Sequence, residues 1–373
     1  MEKVKIDDVL KYEQPTKYIV ETENYDDSYN TPVLTAGKSF LLGYTNEEKG
    51  VFNEVPVIIF DDFTTSFHFV DFPFKVKSSA LKILKAVKDK ADIKYLYYKM
   101  QTIKFEAEQH KRYWISKYSQ IEIPLPSIAT QQRIAAILDQ ADAIIQNNRA
   151  IVQKYDALTQ SLFLEMFGDP VKNEKGWEKV SLKYFINKLN TGVSVNSEEN
   201  SKGDYFILKT SCVYSGIFNP KQVKTIREDE IQRAKLNPKK DSIIISRMNT
   251  SELVGKSAYI FENFPNIFLP DRLWQTEKTN VEHSVLWLSY NIGHTSFMNE
   301  ISKISSGTSG SMKNISKASF LDLKSINPPL KLQNQFAERV AMIEAQKQQA
   351  QLELAKSEEL FQSLLQRAFK VNI

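Results

Sequence analysis

Two long stretches of the chain carry apolar residues in alternating steps of four and three. In each stretch eight of ten such positions are apolar, a spacing typical of a coiled-coil seam. No proline or glycine stands between Pro126 and Gly168, so the first stretch predicts a helix of roughly 40 residues, about 60 Å long. Such a helix is too long for one small domain and predicts a strut between two. The positions that we assign to the helix–helix seam are Ile134, Leu138, Ala141, Ile145, Val152, Tyr155, Leu162, Phe336, Val340, Ile343, Leu354, Phe361 and Leu364.

The second stretch repeats the first. A shift of 202 residues places Gln131 on Gln333 and Phe167 on Phe369. A repeat of about 200 residues indicates a duplicated half-molecule, because solenoid repeats are much shorter.

The predicted seam contains polar interruptions. If the two helices pair antiparallel about a pseudo-twofold axis, Tyr155 lies near Lys347 and Ile145 lies near Ser357. Asn148 and Lys347 then either limit slippage of the register, as buried polar seam residues can, or lie at the solvated rim.

The segments outside the helices mix strand and helix patterns. The fold class that we predict is α+β: two mixed α/β domains, residues 1–126 and 169–328, separated by two long antiparallel helices, residues 127–168 and 329–373, in a pseudo-twofold duplication. The predicted strands are Val4–Ile6, Tyr18–Val20, Val33–Thr35, Ser39–Leu42, Val55–Phe60, Tyr205–Lys209, Ser242–Ser246 and Lys256–Phe261. The predicted short helices are Ser79–Lys90, Ile93–Met100, and Val285–Asn291 with an extension at Asn299–Ser305.

Composition excludes several classes of site. The chain has 373 residues with one cysteine and four histidines, and the histidines show no ligand spacing, so we expect no disulfide framework and no metal. There is no signal-peptide pattern and no run of 18 apolar residues. We therefore expect a soluble cytoplasmic protein that does not associate with a membrane. Both Gly-Lys-Ser triplets lack the earlier glycine of a P-loop, and Asn327-Pro328-Pro329 is followed by Leu330 rather than an aromatic residue. We therefore expect no cofactor and no catalytic centre.

Charge is unevenly distributed although the net charge is only +4. Residues 75–117 carry 12 basic and 4 acidic side chains, whereas residues 1–74 are net acidic. Residues 169–327 carry 22 basic and 17 acidic side chains. Such basic islands suit a polyanionic partner, and they equally suit an ordinary lysine-rich solvated surface.

The order of domain, long helix, domain and long helix resembles the specificity (S) subunit of type I restriction-modification systems. The most specific segments are IPLPSIATQQRIAAIL, LFLEMFGDP followed by GWEKVSL, and the weaker copy NPPLKLQNQFAERV. The resemblance implies two target-recognition domains, each reading half of a split double-stranded DNA sequence, and helices that set the half-site distance. It also implies docking of two modification (methyltransferase) subunits, with restriction subunits in the full complex. S-adenosylmethionine and ATP are then expected on those partner subunits only.

DNA contacts need basic, amide and hydroxyl side chains at a groove-facing edge. The glycine-bracketed loop at Ser305–Asn314 and the counterpart loop at Lys104–Arg112 fit, although the first is also compatible with a partnerless connector. Arg247 follows a strand, where it either reads a base or pairs with Glu252. The candidate DNA-binding residues are Lys38, Ser39, Tyr44, Gln109, His110, Lys111, Arg112, Lys209, Arg247, Asn249, Lys256, Thr308, Ser309, Ser311 and Lys313.

Two other functions compete with a non-catalytic DNA-specificity subunit. A catalytic restriction–methylation fragment predicts cofactor binding or DNA cleavage by the isolated chain, and the missing motifs argue against it. A coiled-coil scaffold that binds only protein predicts no DNA affinity, or DNA affinity that ignores salt concentration.

Overall fold

The computed structural model describes residues 2–35, 39–104, 113–114, 117–199, 201–307 and 312–369. The chain divides into two compact units. The first combines residues 1–150 with residues 351–373, and the second spans residues 151–350. Each unit therefore contains a globular domain together with segments of the two long helices. No helix within the described ranges is long and apolar enough to cross a membrane.

The first domain contains nine strands and two short helices in the part of the chain that the structure describes. The strands are β1 (Glu2–Lys5), β2 (Leu10–Glu13), β3 (Thr31–Leu34), β4 (Leu41–Thr45), β5 (Val57–Asp61), β6 (Phe67–Val70), β7 (Lys75–Val76), β8 (Leu81–Ala86) and β9 (Glu122–Leu125), and the helices are α1 (Ile6–Val9) and α2 (Ile93–Gln101). The central sheet has the antiparallel order β2-β8-β5-β6, beside a sheet of order β4-β3-β7 and the pair β1-β9. Strand β5 is buried along its whole length, and α2 packs on the sheet through Tyr95 and Leu96.

The second domain repeats this sheet. Its strands are β10 (Lys179–Ser181), β11 (Ile186–Thr191), β12 (Ser197–Glu198), β13 (Phe206–Leu208), β14 (Val223–Ile226), β15 (Ser242–Ser246), β16 (Met248–Asn249), β17 (Ser257–Ile260), β18 (Ile267–Phe268), β19 (Leu273–Lys278), β20 (Lys313–Asn314) and β21 (Lys324–Ile326). Helices α4 (Val285–Gly293), α5 (Thr295–Ile304) and α6 (Lys317–Asp322) follow the sheet strands. The order β11-β19-β15-β17 matches β2-β8-β5-β6, and a helix follows the second strand of each order, α4 after β19 and α2 after β8.

The predicted helix at Ser79–Lys90 is wrong, because Leu81–Ala86 forms strand β8 between β2 and β5. The lysines that suggested the polar face of a helix form ion pairs within the domain. Lys82 is buried beside Asp62, and Lys85 contacts Glu13. A short apolar run alone does not distinguish a buried strand from a helix. The helix that corresponds to α4 is α2.

Two smaller predictions also differ from the structure. Tyr18–Val20 is not a strand: Pro15–Tyr18 is a 3-10 turn, followed by a single bridge from Ile19 to Val76. The extension of α4 is a separate helix, since α4 ends at Gly293 and α5 begins at Thr295.

The long helices are α3 (Ile128–Phe167) and α7 (Leu330–Phe369), each 40 residues long. Within the first unit Leu138, Ala141 and Ile145 form a cluster with Phe361 and Leu365, so the start of α3 runs antiparallel to the end of α7. Within the second unit the end of α3 packs in the same way against the start of α7. All the seam positions named from the sequence are buried or half-buried.

Candidate nucleic-acid interface

Three candidate residues of the second domain meet where strand β15 ends. Arg247 follows this buried strand directly, and the short strands β16 and β20 continue from there as an antiparallel pair. Asn249 lies opposite Lys313 in that pair, and Met248 lies opposite Asn314. The structure therefore brings Arg247, Asn249 and Lys313 together, although Lys313 is far from the other two in sequence.

Arg247 is held by Asp271 rather than by Glu252. Its Nε donates to the Asp271 carbonyl oxygen at 2.7 Å, and a terminal nitrogen lies 3.7 Å from the Asp271 carboxylate. Its other terminal nitrogen is 3.5 Å from the Asn314 side-chain oxygen. The side chain remains 23% exposed. A planar guanidinium fixed at its Nε, whose terminal nitrogens make only these long contacts, keeps N–H groups that can donate two parallel hydrogen bonds to an acceptor pair.

Asn249 is oriented by neighbours that the sequence did not reveal. Its amide nitrogen donates to the Tyr214 hydroxyl at 2.8 Å, and its side-chain oxygen accepts from the Thr250 backbone N–H at 2.9 Å. The Tyr214 hydroxyl also contacts the Thr210 hydroxyl at 2.8 Å. Because Tyr214 lies 35 residues before Asn249, the sequence alone does not show that they meet.

The remaining described candidates of the second domain differ in their surroundings. Lys256 lies beside the same strand end, where its carbonyl accepts from the Ser246 N–H at 2.8 Å. Lys256 is half-buried. Lys209 pairs with Glu199 at 3.2 Å, and Lys224 contacts the same carboxylate. The charge of Lys209 is therefore partly neutralised within the domain.

The candidates of the first domain are more scattered. Tyr44 is half-buried on β4, at the edge of its three-stranded sheet, and its carbonyl accepts from the Asp26 N–H. Ser39 is exposed and precedes Phe40, which stacks on His68 with ring centroids 3.9 Å apart. Eight candidates lie outside the described residues: Lys38, Gln109, His110, Lys111, Arg112, Thr308, Ser309 and Ser311.

The two domains present equivalent loci for their predicted recognition loops. In the second domain the Ile315 N–H donates to the Arg247 carbonyl at 3.0 Å, just after the loop. In the first domain the Tyr113 N–H donates to the Asp62 carbonyl, also at 3.0 Å. Asp62 follows strand β5 as Arg247 follows β15, so Tyr113 and Ile315 bond to the ends of corresponding sheet strands.

The turn after Asp62 adds candidates that the sequence did not single out. Asp61 accepts hydrogen bonds from the Phe63 N–H and from the Thr64 hydroxyl, which fixes the turn. Phe63 is 40% exposed and precedes Thr64 in this turn. An exposed aromatic ring next to hydroxyl donors is suited to contact with a base or sugar.

Most of the basic island at residues 75–94 is neutralised inside the first unit. Lys75 lies 2.7 Å from Glu47 and Lys82 lies 3.5 Å from Asp62, while further lysines contact carboxylates of the acidic segment. Burial alone raises the pKa of Glu47, but the Lys75 ammonium and the backbone N–H groups of Thr22 and Glu21 outweigh it and lower the pKa to about 2. The excess of basic residues at 75–94 therefore reflects pairing within the domain, and this part of the island is weak support for a polyanionic partner.

No cluster of three or more histidine, cysteine, aspartate or glutamate side chains that could hold a metal occurs among the described residues. His283 contacts Phe185, and His294 accepts from the Ser296 N–H at the start of α5. Cys212 is buried, and burial raises its pKa to about 12, so the thiol is protonated at neutral pH.

Residues 1–154 match the family described as the type I restriction modification DNA specificity domain. The chain is 50% identical over 149 residues to the EcoR124I/EcoR124II specificity subunit of Escherichia coli, a match that covers 37% of this chain and 37% of that protein. The resemblance drawn from the sequence is confirmed.

A second relative matches a longer part of the chain at lower identity. The EcoKI specificity subunit of Escherichia coli K12 is 25% identical over 281 residues, covering 68% of this chain and 58% of that protein. The matches thus span less than two thirds of either relative. The crystal structure of the S subunit from M. genitalium covers 100% of this chain and 96% of that chain, with a TM-score of 0.60 and 15% identity. At that identity the similarity concerns the fold, and it confirms the α+β architecture with long helices.

Proposed function

We propose that this chain is the DNA-specificity subunit of a type I restriction-modification complex. Each domain reads one half of a bipartite, asymmetric duplex target. The observation that carries the proposal is the duplication: the second domain repeats the sheet of the first domain, and the first domain matches the model of the type I restriction modification DNA specificity domain. Because the two domains differ in sequence, the two half-sequences differ as well.

The Arg247 locus supplies suitable chemistry for one half-site. Arginine donates two parallel bonds to the O6 and N7 atoms of guanine, and asparagine pairs in a similar way with adenine. Arg247 and Asn249 are both oriented by neighbours of their own domain. Side chains ordered before binding lose less conformational entropy on contact with DNA.

The long helices set the distance between half-sites and dock two methyltransferase subunits. Ile137 and Ile144 lie seven residues apart on α3 and are 48% and 49% exposed, outside the seam. On α7 the exposed apolar residues are Met342, Leu352 and Leu360. Apolar side chains left exposed at helical spacing favour a protein partner.

Catalysis belongs to the partner subunits in this proposal. The chain itself neither methylates nor cleaves DNA, and S-adenosylmethionine and ATP bind to the methyltransferase and restriction subunits. Because the complex acts on genomic DNA in this proposal, the chain is expected in the cytoplasm.

Selection from a random duplex library tests the proposal. The chain would be purified with its methyltransferase subunits and the bound duplexes sequenced. We expect enrichment of two unlike sequence blocks separated by an unread spacer of fixed length. Enrichment of one continuous block, or binding without sequence preference at physiological salt, would contradict it.

A further inference from the structure

Gln131 is a fully buried polar residue in the first turn of α3, and its side chain bonds to another part of the first unit. Its Oε1 accepts from the Asp92 N–H at 2.8 Å, and Asp92 is the residue that caps α2. Its Nε2 donates to the Lys90 carbonyl at 3.1 Å and to the Pro126 carbonyl at 2.8 Å. One amide thus joins the start of the long helix to the start of the domain helix.

Gln333 makes the same connection in the second unit. It is 2% exposed in the first turn of α7. Its Oε1 accepts from the Ser284 N–H at 2.9 Å, and Ser284 caps α4. Its Nε2 donates to the Pro328 carbonyl at 2.8 Å. The same residue type therefore bonds to the cap of the corresponding domain helix and to the proline two residues before each long helix.

Each domain helix has a second anchor on the other long helix of its own unit. The ring of Tyr95 in α2 contacts Phe369 near the end of α7, with centroids 5.3 Å apart. The ring of Trp287 in α4 contacts Phe167 at the end of α3, with centroids 6.0 Å apart. Helix α2 is also tied to α3 by Asp139, which pairs with Lys94 at 2.6 Å and accepts from the Tyr98 hydroxyl at 2.7 Å. The glutamine amide therefore fixes the start of the domain helix relative to contacts farther along it, and its loss allows a change of angle.

The glutamine also satisfies backbone groups that have no other helical partner. The first N–H groups of a helix and the carbonyls of a proline turn need partners when they are buried. Replacing the amide by an apolar group of equal size keeps the packing but leaves those groups unpaired. The bonds, rather than the bulk of the side chain, are therefore the specific contribution of glutamine.

We propose that Gln131 and Gln333 are positioning residues that fix the angle at which each domain is carried on its long helix, and so make the complex selective for one spacer length. This inference rests on the proposed function. A domain that pivots presents its half-site contacts over a range of positions, so loss of the amide relaxes spacer selectivity. Neither glutamine touches DNA in this account.

The test measures methylation by the full complex on duplexes with identical half-sites and a spacer of the selected length, one base pair shorter, or one base pair longer. The variants are Gln131→Met and Gln333→Met, which match glutamine in volume. We expect methylation at the selected spacer to fall about tenfold, because small misplacements are costly, and the preference over neighbouring spacers to fall to about twofold or less. Exposed neighbours provide controls, Gln132→Met and Gln335→Met, which keep the wild-type profile.

A second variant separates positioning from folding. Gln131→Glu keeps the acceptor for the Asp92 N–H but loses both donors while it is ionised, and protonation restores one donor. We expect its spacer preference to be closer to that of the wild type at about pH 5.5 than at pH 8, because burial raises a carboxyl pKa. A general structural defect would not restore spacer preference in this way.

The outcomes distinguish this inference from the proposed function. If the wild-type complex methylates all three spacers equally, the proposed function fails and the inference with it. If the wild type is selective and folded Gln131→Met and Gln333→Met proteins remain equally selective, only the positioning role is wrong. Should the methionine variants not fold, an unchanged spacer preference of Gln131→Glu at both pH values would refute it.

Discussion

The side-chain amide of Asn148 donates to the hydroxyl oxygen of Ser357 at 3.3 Å, which joins α3 to α7 inside the first unit. The Ser357 hydroxyl in turn donates to the Leu354 carbonyl. In the second unit Lys347 is buried and pairs with Asp156. The rim position considered for Lys347 is therefore wrong. Asn148 and Lys347 thus each have a specific partner on the facing helix, an arrangement that disfavours slipped registers.

The Lys347–Asp156 pair predicts an asymmetric response to mutation. Asp156→Ala leaves a buried ammonium whose remaining ion-pair contact is the more distant carboxylate of Glu344, 4.0 Å away. We expect the free energy of unfolding of the second unit to fall by about 2 kcal/mol. Lys347→Met leaves Asp156, which is 44% exposed and can be hydrated, so its cost should be below about 1 kcal/mol. Differential scanning calorimetry measures both, with the surface variant Asp229→Ala as control. A larger loss for Lys347→Met would contradict this account.

Glu47 predicts a pH-dependent contribution to the stability of the first unit. Its pKa is lowered from 4.5 to about 2 in the folded chain. Its stabilisation is therefore fully present above pH 4.5 and is lost as the pH falls through about 2. Glu47→Gln should cost on the order of 2–3 kcal/mol at pH 7. The difference between variant and wild-type unfolding midpoints should shrink steadily below pH 4.5. If the difference in unfolding midpoint between Glu47→Gln and the wild type does not depend on pH, the ion pair of Glu47 with Lys75 is not the cause of the lost stability.

Arg247 predicts a loss of specificity confined to one half-site. Arg247→Ala should weaken binding to the selected target by about 1–3 kcal/mol and relax the base preference in one sequence block only. Arg247→Lys should not restore it, because lysine lacks the planar pair of donors. Competition binding with single-base variants of the target provides the measurement. The matched control is Arg227→Ala, whose side chain pairs locally with Asp229. Equal loss of preference in both blocks would refute this assignment.

The exposed apolar residues of α3 predict a protein contact. Ile137→Ser combined with Ile144→Ser should lower the affinity for the methyltransferase subunit by about tenfold or more, since two large apolar side chains leave the interface. The unfolding midpoint of the isolated chain should change little, because both residues are half exposed. Analytical ultracentrifugation of the mixed subunits reports the affinity. Gln146→Ser, also exposed on α3, serves as the control. Unchanged assembly by the double variant would show that the partner docks elsewhere.

The spacing of apolar residues is sufficient to predict the two long helices. The repeat of Gln131 as Gln333 and of Phe167 as Phe369 indicates the duplication from the sequence alone. Periodicity failed at β8, where Lys82 is buried because Asp62 neutralises it. It also could not identify Asp271 as the partner of Arg247 or Tyr214 as the partner of Asn249. Asp271 precedes β19 and Tyr214 follows a 3-10 turn, and their approach to the end of β15 depends on tertiary packing, which is not local in the sequence.

The most direct test of the central claim is replacement of residues 169–328 by the corresponding domain of another specificity subunit, followed by sequencing of methylated bases in a genome that carries the complex. If each domain reads its own half-site and the helices set the spacing, one half of the methylated motif and the spacer length are retained while the other half changes. A motif that changes in both halves, or in spacer length, would contradict the account.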